Sequence, residues 1–465
     1  MATRKKTTVE TAVEKLSQAL VARYDQQNSI TREGTQLTIP ANMSIQDAIL
    51  ILEDYLRKME QRAEKVIRFE NTDEGDALIA FKRVMEQLFG NVTGEAVYGF
   101  MKYDPGAKSV TTAFGQQETV PFGEIKIPGL DVKIDLASSR RGPMLDIVQA
   151  RFTYKRKFQP LVEQVEAQWR AWLATNSIFK GQAINSALEF LDLGSAAKAT
   201  DRLVYTAGEA EALGANIFTP IMNQELITAA GIMPRRTVVL SGPYGTGKTL
   251  TALLIAQEAV KHGWTFMSVL PGHSIAPALE FARKFQPAVL FFEDIDVEAS
   301  GPVRDDRMNE ILNTMDGVVS KTSQVVTIMT TNHLDRLARA MLRPGRIDAV
   351  IEMGHVDEQS IVDLVRAHAG EYLMGDLNGA ELLAEADGMT PAFVVEAAQK
   401  AVLYSLNGNG HERPEIRQEH VLAALRTMRP QWELMNSDQD AEMPAMDKVM
   451  RQAMVEALRE YDHAG

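Results

Sequence analysis

A glycine-rich octapeptide carries the clearest chemical signal in the sequence. Gly242-Pro-Tyr-Gly-Thr-Gly-Lys248-Thr249 fits the pattern G-x-x-x-x-G-K-[ST], with an apolar stretch before it and a helix-like stretch after it. Glycines let backbone N–H groups close around phosphate oxygens, and the N-terminus of a following helix adds positive potential. In such a loop Lys248 holds the β and γ phosphates, and the Thr249 hydroxyl holds Mg²⁺. The pattern therefore predicts a loop that binds the phosphates of a nucleotide.

A run of acids follows another apolar stretch, at residues 289–292. It contains Glu293, Asp294 and Asp296. Carboxylates just past the carboxyl end of a buried strand lie where ligands bind in open α/β sheets. Two adjacent acids can divide the work, because one can hold a hydrated metal ion while the other orients an attacking water.

Strand-like and helix-like stretches alternate around these motifs. The five strand-like stretches are 237–241, 265–270, 288–292, 325–330 and 349–353. This alternation is typical of a parallel sheet with helices on both faces. After residue 356 the strand-like stretches stop, and helical spacing predicts a small helical domain.

The N-terminal part has a different character. Apolar residues keep helical spacing at 9–22, from Ser44 to Met59 and at 78–88. Ser44 with Asp47 is typical of a capping box. Short alternating runs with Pro-Gly turns then predict β-hairpins between 95 and 154.

The chain is accordingly predicted to be α/β with five parts. These are a helical region 1–92, a β-rich domain 93–200 with flanking helices, a large α/β domain 201–355, a helical lid domain 356–430 and an acidic, then helical, tail 431–465. Tryptophans 169 and 172 are predicted to pack in a core.

Composition narrows the classes of protein. The 465 residues contain 49 Lys and Arg against 62 Asp and Glu, a net charge of −13, and no cysteine. Disulfides, iron–sulfur clusters and cysteine nucleophiles are therefore excluded. No apolar run approaches the roughly 18 residues of a membrane span, and no secretory signal is found. We expect a cytoplasmic protein. The negative net charge counts against an extended nucleic-acid-binding surface, which needs a basic face.

At this point the sequence resembles a known family, the AAA subgroup of the AAA+ ring-forming ATPases, over about residues 204–428. The resemblance rests on the glycine loop with its preceding strand, on Thr330-Thr-Asn332-His and on Leu342-Arg-Pro-Gly-Arg-Ile-Asp348. It implies a P-loop NTPase core with a five-stranded parallel sheet, a C-terminal helical lid and a separate α+β N-terminal region. It also implies ATP and Mg²⁺ as cofactors and a homo-oligomeric ring, usually a hexamer.

The resemblance assigns a role to each motif residue. Asn332 contacts the γ-phosphate or the attacking water, and Arg343 and Arg346 reach the nucleotide of the neighbouring subunit. From the residues alone, these two arginines are surface charges around a Pro-Gly turn. The nucleotide-binding residues implied are Gly242, Pro243, Tyr244, Gly245, Thr246, Gly247, Lys248, Thr249, Leu250, Thr206, Ala207, Gly208, His368, Pro391 and Ala392. His368 is otherwise a histidine on a helix surface.

The acidic pair departs from the common family order, which is Asp-Glu. The metal-binding role falls on Glu293, with Thr249, and the water-polarising role on the shorter Asp294. Slow turnover is therefore one expectation, because misplacement by about a methylene costs up to about 10²-fold in rate. The same order is found in the subfamily of the mitochondrial ATPase that translocates the Rieske protein, but this chain shows no membrane span like that subfamily's.

Three functions remain open on the sequence. The first is an ATP-hydrolysing ring that remodels or translocates a protein client, with residues 1 to about 200 binding the client or organising the oligomer. The second is a nucleotide-dependent scaffold or switch with slow hydrolysis, favoured by the acid order and by Pro271-Gly-His273 where peptide-threading members carry an aromatic pore loop. The third, with the weakest support, is a nucleic-acid motor or loader.

Overall fold

The computed structural model describes residues 29–32, 35–38, 43–70, 72–98, 103–104, 106–140, 146–232, 234–271, 273, 275–295, 324–334, 346–354, 356–407 and 413–441. The predicted helix at 9–22 lies outside these residues, as do Asp296, Arg343 and residues 442–465 of the tail. The chain divides into two compact units, Met1–Ile178 and Phe179–Gly465. The finer division into five parts stays a prediction.

The first unit is built on an antiparallel sheet. Its strands are β1 (Ser29–Arg32), β2 (Thr35–Thr38), β3 (Arg62–Glu70), β4 (Gly94–Glu95), β5 (Val97–Tyr98), β6 (Tyr103–Asp104), β7 (Ala107–Ala113), β8 (Gln116–Pro121), β9 (Gly123–Lys126), β10 (Val132–Arg140) and β11 (Asp146–Lys155). The main sheet has the order β3-β11-β10-β9-β4, and β1-β2, β5-β6 and β7-β8 form separate pairs. Its helices are α1 (Ile45–Glu60), α2 (Glu74–Phe89) and α3 (Gln159–Thr175), with a 3-10 turn at Arg156–Phe158.

Sequence features explain these elements. The Ser44 side chain accepts a hydrogen bond from the Asp47 backbone N–H and begins α1, as the capping pattern predicts. Trp169 of α3 is fully buried, as predicted, and its ring lies 4.4 Å from that of Phe69 and 5.0 Å from that of Phe81. Its indole N–H donates to the Ala77 carbonyl at 2.9 Å, so the buried polar atom is satisfied.

The second unit contains a parallel sheet of six strands. These are β12 (Ala183–Asn185), β13 (Arg236–Ser241), β14 (Thr265–Val269), β15 (Ala288–Phe292), β16 (Val325–Thr331) and β17 (Ala349–Glu352). The order is β12-β14-β15-β16-β13-β17, with every pair parallel. The sequence predicts five strands and misses the sixth, β12, which is three residues long. A strand that short gives no measurable alternation, and it precedes the boundary predicted for the α/β domain.

Among the described residues of this unit, the helices lie between and after the strands. They are α4 (Leu193–Thr200), α5 (Ala207–Leu213), α6 (Thr219–Met222), α7 (Gln224–Ala229), α8 (Lys248–Lys261), α9 (Ile275–Lys284), α10 (Glu358–Ala369), α11 (Gly379–Glu385), α12 (Pro391–Leu406) and α13 (Gln418–Ala441). A π-helical turn, Gly214–Phe218, joins α5 to α6, and a 3-10 turn, Gly370–Tyr372, follows α10. Helices α10 to α13 share a core of their own, which includes Ile361, Leu382, Val394 and Leu425.

The order of the strands brings the predicted motifs together. Strand β16 lies between β13 and β15 in the sheet, although both precede it in the chain. Because the carboxyl ends of parallel strands meet at one edge, the loops after these three strands are neighbours. They carry the glycine loop, the acidic pair and Asn332.

Within the described ranges, no helix is both long enough and apolar enough to cross a membrane.

Candidate active site

The loop 242–247 joins β13 to α8 and packs closely against its surroundings. Gly245 and Gly247 have φ values of 82° and 88°, in the left-handed region that favours glycine. A Cβ atom at Gly242 would lie 2.0 Å from the Met353 carbonyl oxygen, and one at Gly245 would lie 2.9 Å from the Ala392 Cβ. The glycine spacing therefore has two causes here, which are backbone conformation and lack of space.

Lys248, the first residue of α8, is folded back onto this loop. Its Nζ donates to the carbonyl oxygens of Gly242 at 2.7 Å and of Pro243 at 3.0 Å. The same Nζ donates to Asn332 Oδ1 at 2.8 Å, and the residue is only 7% exposed. Phosphate oxygens would offer this ammonium charged acceptors in place of neutral ones, and such hydrogen bonds are stronger.

The two acids of the pair contact different partners. The Thr249 hydroxyl donates to Glu293 Oε1 at 2.6 Å, and Asn332 Nδ2 donates to Asp294 Oδ1 at 3.2 Å. Glu293 thus lies beside the hydroxyl at the start of α8, whereas Asp294 lies beside the end of β16. Hydroxyl and carboxylate oxygens are the ligands that Mg²⁺ prefers, so Thr249 and Glu293 are the pair that fits that ion.

A cavity of about 450 Å³ opens beside these groups, a volume within the usual range for a small-molecule site. Of the predicted site residues it is lined by Thr206, Tyr244, Gly245, Thr246, Gly247, Lys248, Thr249, Leu250, Asp294, Asn332, His368, Pro391 and Ala392. Gly242, Pro243, Ala207, Gly208, Glu293 and Arg346 are not among its lining residues. Gly242 and Pro243 are hydrogen-bonded to Lys248, which lines the cavity. Glu293 is likewise hydrogen-bonded to Thr249, another lining residue.

Besides the phosphate loop, Val204, Leu364 and His368 line the cavity. Burial, and secondly the nearby charge of Arg202, hold the pKa of His368 below its ordinary value, whereas a hydrogen bond to the Arg202 backbone acts the other way. The His368 Nδ1 atom is buried without a hydrogen-bond partner. Because buried polar atoms are normally paired, this nitrogen fits a site that a polar, flat ligand such as a nucleotide base completes.

The helical lid contacts the phosphate loop directly. The Ala392 backbone N–H, in the first turn of α12, donates to the Gly245 carbonyl at 3.0 Å. The Thr390 hydroxyl, next to Gly245, is buried without a partner. Pro391 and Ala392 therefore lie at the junction of lid and loop, and their contact with a nucleotide stays a prediction.

Glu209 is a site residue that the sequence analysis missed. Its carboxylate accepts from the Thr206 backbone N–H at 2.8 Å and from the Gly354 N–H at 3.0 Å. The first contact belongs to a capping box at the start of α5, and the second ties that helix to the end of β17. The pattern Thr206-Ala-Gly-Glu209 is a T-x-x-E capping signature, so a signal was present.

The two predicted trans arginines are only partly described. Arg343 lies outside the described residues. Arg346 is half-buried just before β17. Their proposed contacts concern a neighbouring subunit, so their role stays a prediction.

The described residues show no cluster of three or more His, Cys, Asp or Glu that could hold a metal ion by itself.

A parallel sheet whose β13 strand runs through a glycine loop into α8, with Lys248, Thr249 and acids from neighbouring strands around it, defines a P-loop nucleotide-binding protein. Residues 238–355 match the family described as "ATPase family associated with various cellular activities (AAA)". The chain therefore contains an AAA ATPase domain, as its motifs predict.

Similar proteins extend the comparison. The chain is 29% identical over 245 residues to a proteasome-activating nucleotidase of Methanoregula boonei, covering 48% of this chain and 55% of that protein. It is 32% identical over 234 residues to the 26S proteasome regulatory subunit 10B homolog A of Arabidopsis thaliana, covering 46% and 57%. With a cell division cycle protein 48 homolog of Archaeoglobus fulgidus it shares 30% identity over 254 residues, covering 52% and 32%.

The matched segments thus span about half the length of the first two relatives. The likeness to the Rieske-translocase subfamily stays a prediction.

Proposed function

We propose that this protein binds ATP with Mg²⁺ and hydrolyses it to ADP and phosphate. One observation supports this most: hydrogen bonds join Lys248 to Asn332 and Asn332 to Asp294 at the wall of one cavity, and Thr249 to Glu293 beside it. The set includes a cation for phosphates, an oxygen pair for Mg²⁺, a carboxylate for a water and an amide to orient it.

Each residue has a distinct task in this proposal. Lys248 and the loop N–H groups bind the β and γ phosphates, while Thr249 and Glu293 hold Mg²⁺. Bound Mg²⁺ neutralises charge that develops on the phosphate oxygens. Asp294 accepts the proton of the attacking water, and Asn332 keeps both that carboxylate and Lys248 in place.

Cavity residues outside the phosphate loop recognise the base and ribose. His368 and the segment 204–206 supply the contacts, and the lid closes over them through the Ala392 to Gly245 hydrogen bond. One ring nitrogen of His368 is bound to the Arg202 backbone, so Nδ1 of the neutral ring is left as an acceptor for the edge of a base.

We further propose a homo-oligomeric ring, hexameric by resemblance, that uses ATP to remodel a protein client in the cytoplasm. The names of the similar proteasome and cell-division proteins support a protein client, and so does the net charge of −13. Residues 1 to about 200 form the region that binds the client or organises the ring. Salt-dependent binding of DNA or RNA at about 50 mM salt, with stimulated turnover, would instead favour a nucleic-acid partner.

Steady-state phosphate release by the full chain, with binding of a fluorescent ATP analogue measured in parallel, tests the activity. We expect Lys248→Ala to lose nucleotide binding. We expect Asp294→Asn to keep binding and to lose turnover by about 10²-fold or more, because the water loses its base. Absence of ATP binding by the unaltered protein would contradict the proposal.

A scaffold or switch is the second candidate, and the Glu293-Asp294 order is the observation that favours it. An aspartate lies about one methylene further from the water than a glutamate would, which slows hydrolysis. The same assay decides between the two candidates. Unaltered protein that binds ATP, but turns over no faster than Asp294→Asn, would establish the scaffold and exclude the motor.

A further inference from the structure

The backbone of Asp294 has a conformation that is uncommon for a residue with a side chain. Its φ is 44°, in the left-handed region, two residues after β15 ends at Phe292. Only glycine adopts this region freely, although Asp and Asn tolerate it better than other residues. Such conformations persist where the surrounding structure fixes them, and they concentrate at functional sites.

Thr330 of the adjacent strand β16 makes the contacts that fix this turn. Its hydroxyl accepts from the Asp294 backbone N–H at 2.8 Å, and its carbonyl accepts from the Ile295 N–H at 3.0 Å. The regular pairing of β15 with β16 ends one step earlier, at Phe292 and Met329. The Thr330 hydroxyl thus takes over as acceptor where the ladder of backbone hydrogen bonds stops.

Two nearby residues of one segment therefore hold the two parts of Asp294. Thr330 binds its backbone N–H, and Asn332 binds its carboxylate at 3.2 Å. Thr330 is 1% exposed and does not line the cavity, so it is out of reach of a ligand there. The hydroxyl of Thr330 therefore acts on the cavity through the residue that it binds, Asp294.

We propose that Thr330 is a positioning residue, whose hydroxyl fixes the left-handed turn at Asp294 and so aims the shorter carboxylate of this acidic pair at the attacking water. The inference rests on the proposed ATP hydrolysis. A carboxylate on a short side chain has fewer torsions to adjust than a glutamate, so its backbone must set its direction. Thr330 supplies that direction from a rigid, buried strand.

Replacement of the hydroxyl tests the inference. Thr330→Val keeps the side-chain shape but removes the acceptor, and we expect kcat to fall by about 10- to 100-fold, because displacement of a catalytic group by about 1 Å costs that much. The KM for ATP and the affinity for a fluorescent ATP analogue should stay within about threefold, since Thr330 lies outside the cavity. Thr330→Ser retains the hydroxyl and should restore most of kcat.

A matched control separates positioning from stability. Thr265 is another threonine of this sheet that is 1% exposed, and its hydroxyl donates to the Phe285 carbonyl at 2.9 Å and accepts from the Gly181 backbone N–H at 2.9 Å, away from the acidic pair. Thr265→Val should lower the melting temperature about as much as Thr330→Val while leaving kcat near that of the unaltered protein. If Thr330→Val does not fold, the smaller Thr330→Ala removes the same hydroxyl and is subject to the same expectation.

A double-variant cycle completes the test. In the Asp294→Asn background, Thr330→Val should reduce kcat by no more than about twofold further, because both changes disable one group. Three results would overturn the inference. The first is that the kcat losses of Asp294→Asn and Thr330→Val multiply in the double variant. The second is a kcat for Thr330→Val equal to that of Thr265→Val, and the third is failure of Thr330→Ser to restore kcat. Absence of hydrolysis by the unaltered protein would be a different result, since it removes the proposed function itself.

Discussion

Lys248 is bound by three oxygen acceptors from two different segments of the chain. Two are carbonyl oxygens of its own loop and the third is Asn332 Oδ1, which follows β16. The lysine therefore connects the phosphate loop to the end of β16. Asn332 in turn donates to the carboxylate of Asp294, so in the proposed function one residue contacts both the phosphate-binding lysine and the carboxylate that activates water.

The half-buried imidazole of His368 leads to a prediction about the pH dependence of stability. Its pKa is lowered in the folded protein, mainly by burial, so the unfolded chain takes up a proton first as pH falls. The free energy of unfolding therefore decreases as pH falls below about 6.5, the ordinary value for histidine, and this loss is complete below the lowered pKa of the folded state.

His368→Gln removes the titrating group and should flatten this part of the pH dependence. The melting temperature of the full chain, measured between about pH 7.5 and 5 for both proteins, checks the prediction. A difference between them that does not change with pH would contradict it.

At the scale of elements, the contact between lid and phosphate loop depends on Gly245. An added Cβ would lie 2.9 Å from the Ala392 Cβ and 3.1 Å from the Thr390 Oγ1. Gly245→Ala should therefore separate α12 from the loop and weaken ATP binding by about tenfold or more, equivalent to about 1.4 kcal/mol.

Gly263 provides the matched control for that prediction. It has a similar φ of 76°, compared with 82° at Gly245, but no atoms lie within 4 Å of an added Cβ. Gly263→Ala thus carries the backbone strain without the collision, and isothermal titration with a non-hydrolysable ATP analogue should show unchanged affinity. Equal affinities for the two variants would show that the lid contact does not matter.

Glu209 connects α5 to the end of β17 with two hydrogen bonds to backbone N–H groups. Gln retains only one side-chain oxygen, so Glu209→Gln should lower the free energy of unfolding by about 1–2 kcal/mol. ATP binding should weaken too, since Glu209 lines the cavity. Glu211→Gln, an exposed position of the same helix, is the control in urea unfolding. Equal midpoints for the two variants would contradict this role.

The sequence predicts the long elements of the second unit well because their signals are local. The apolar run before the glycine loop, the run before the acids and the helical spacing after residue 356 each predict an element that the structure contains. Strand β12 is not predicted, because three residues carry no period and its pairing with β14 is a contact between distant parts of the chain.

The candidate site divides in the same way. The phosphate loop is predicted from its spacing, and the acids are predicted from their position after an apolar stretch together with that loop, since both signals are local. Glu209, Arg202 and Thr330 contribute through contacts made only after folding. In the sequence, Thr330 cannot be told from any other strand threonine, because its contact with the Asp294 backbone N–H forms only in the folded chain.

For the whole molecule, the ring proposal predicts that subunits complete each other's sites. Arg343→Ala keeps its own phosphate loop but deprives its neighbour of an arginine, whereas Lys248→Ala does the reverse. Each variant alone should be inactive, and a mixture should regain part of the ATPase activity because some sites combine an intact loop with a neighbouring arginine.

Turnover per subunit should also rise with protein concentration as the ring assembles. Phosphate release over a dilution series, with sedimentation velocity on the same samples, measures both effects. Inactive mixtures, or turnover that is independent of concentration, would contradict the trans role of Arg343 and Arg346.

The most direct measurement for the account as a whole is a Mg²⁺ titration of single-turnover ATP hydrolysis by the full chain. We predict that Glu293→Gln raises the Mg²⁺ concentration for half-maximal rate, because Glu293 holds the ion with Thr249. We predict that Asp294→Asn lowers the rate at saturating Mg²⁺ by about 10²-fold without moving the midpoint, because it removes only the base. The same midpoint shift in both variants, or no Mg²⁺-dependent phosphate release by the unaltered protein, would contradict the division of roles between the two acids.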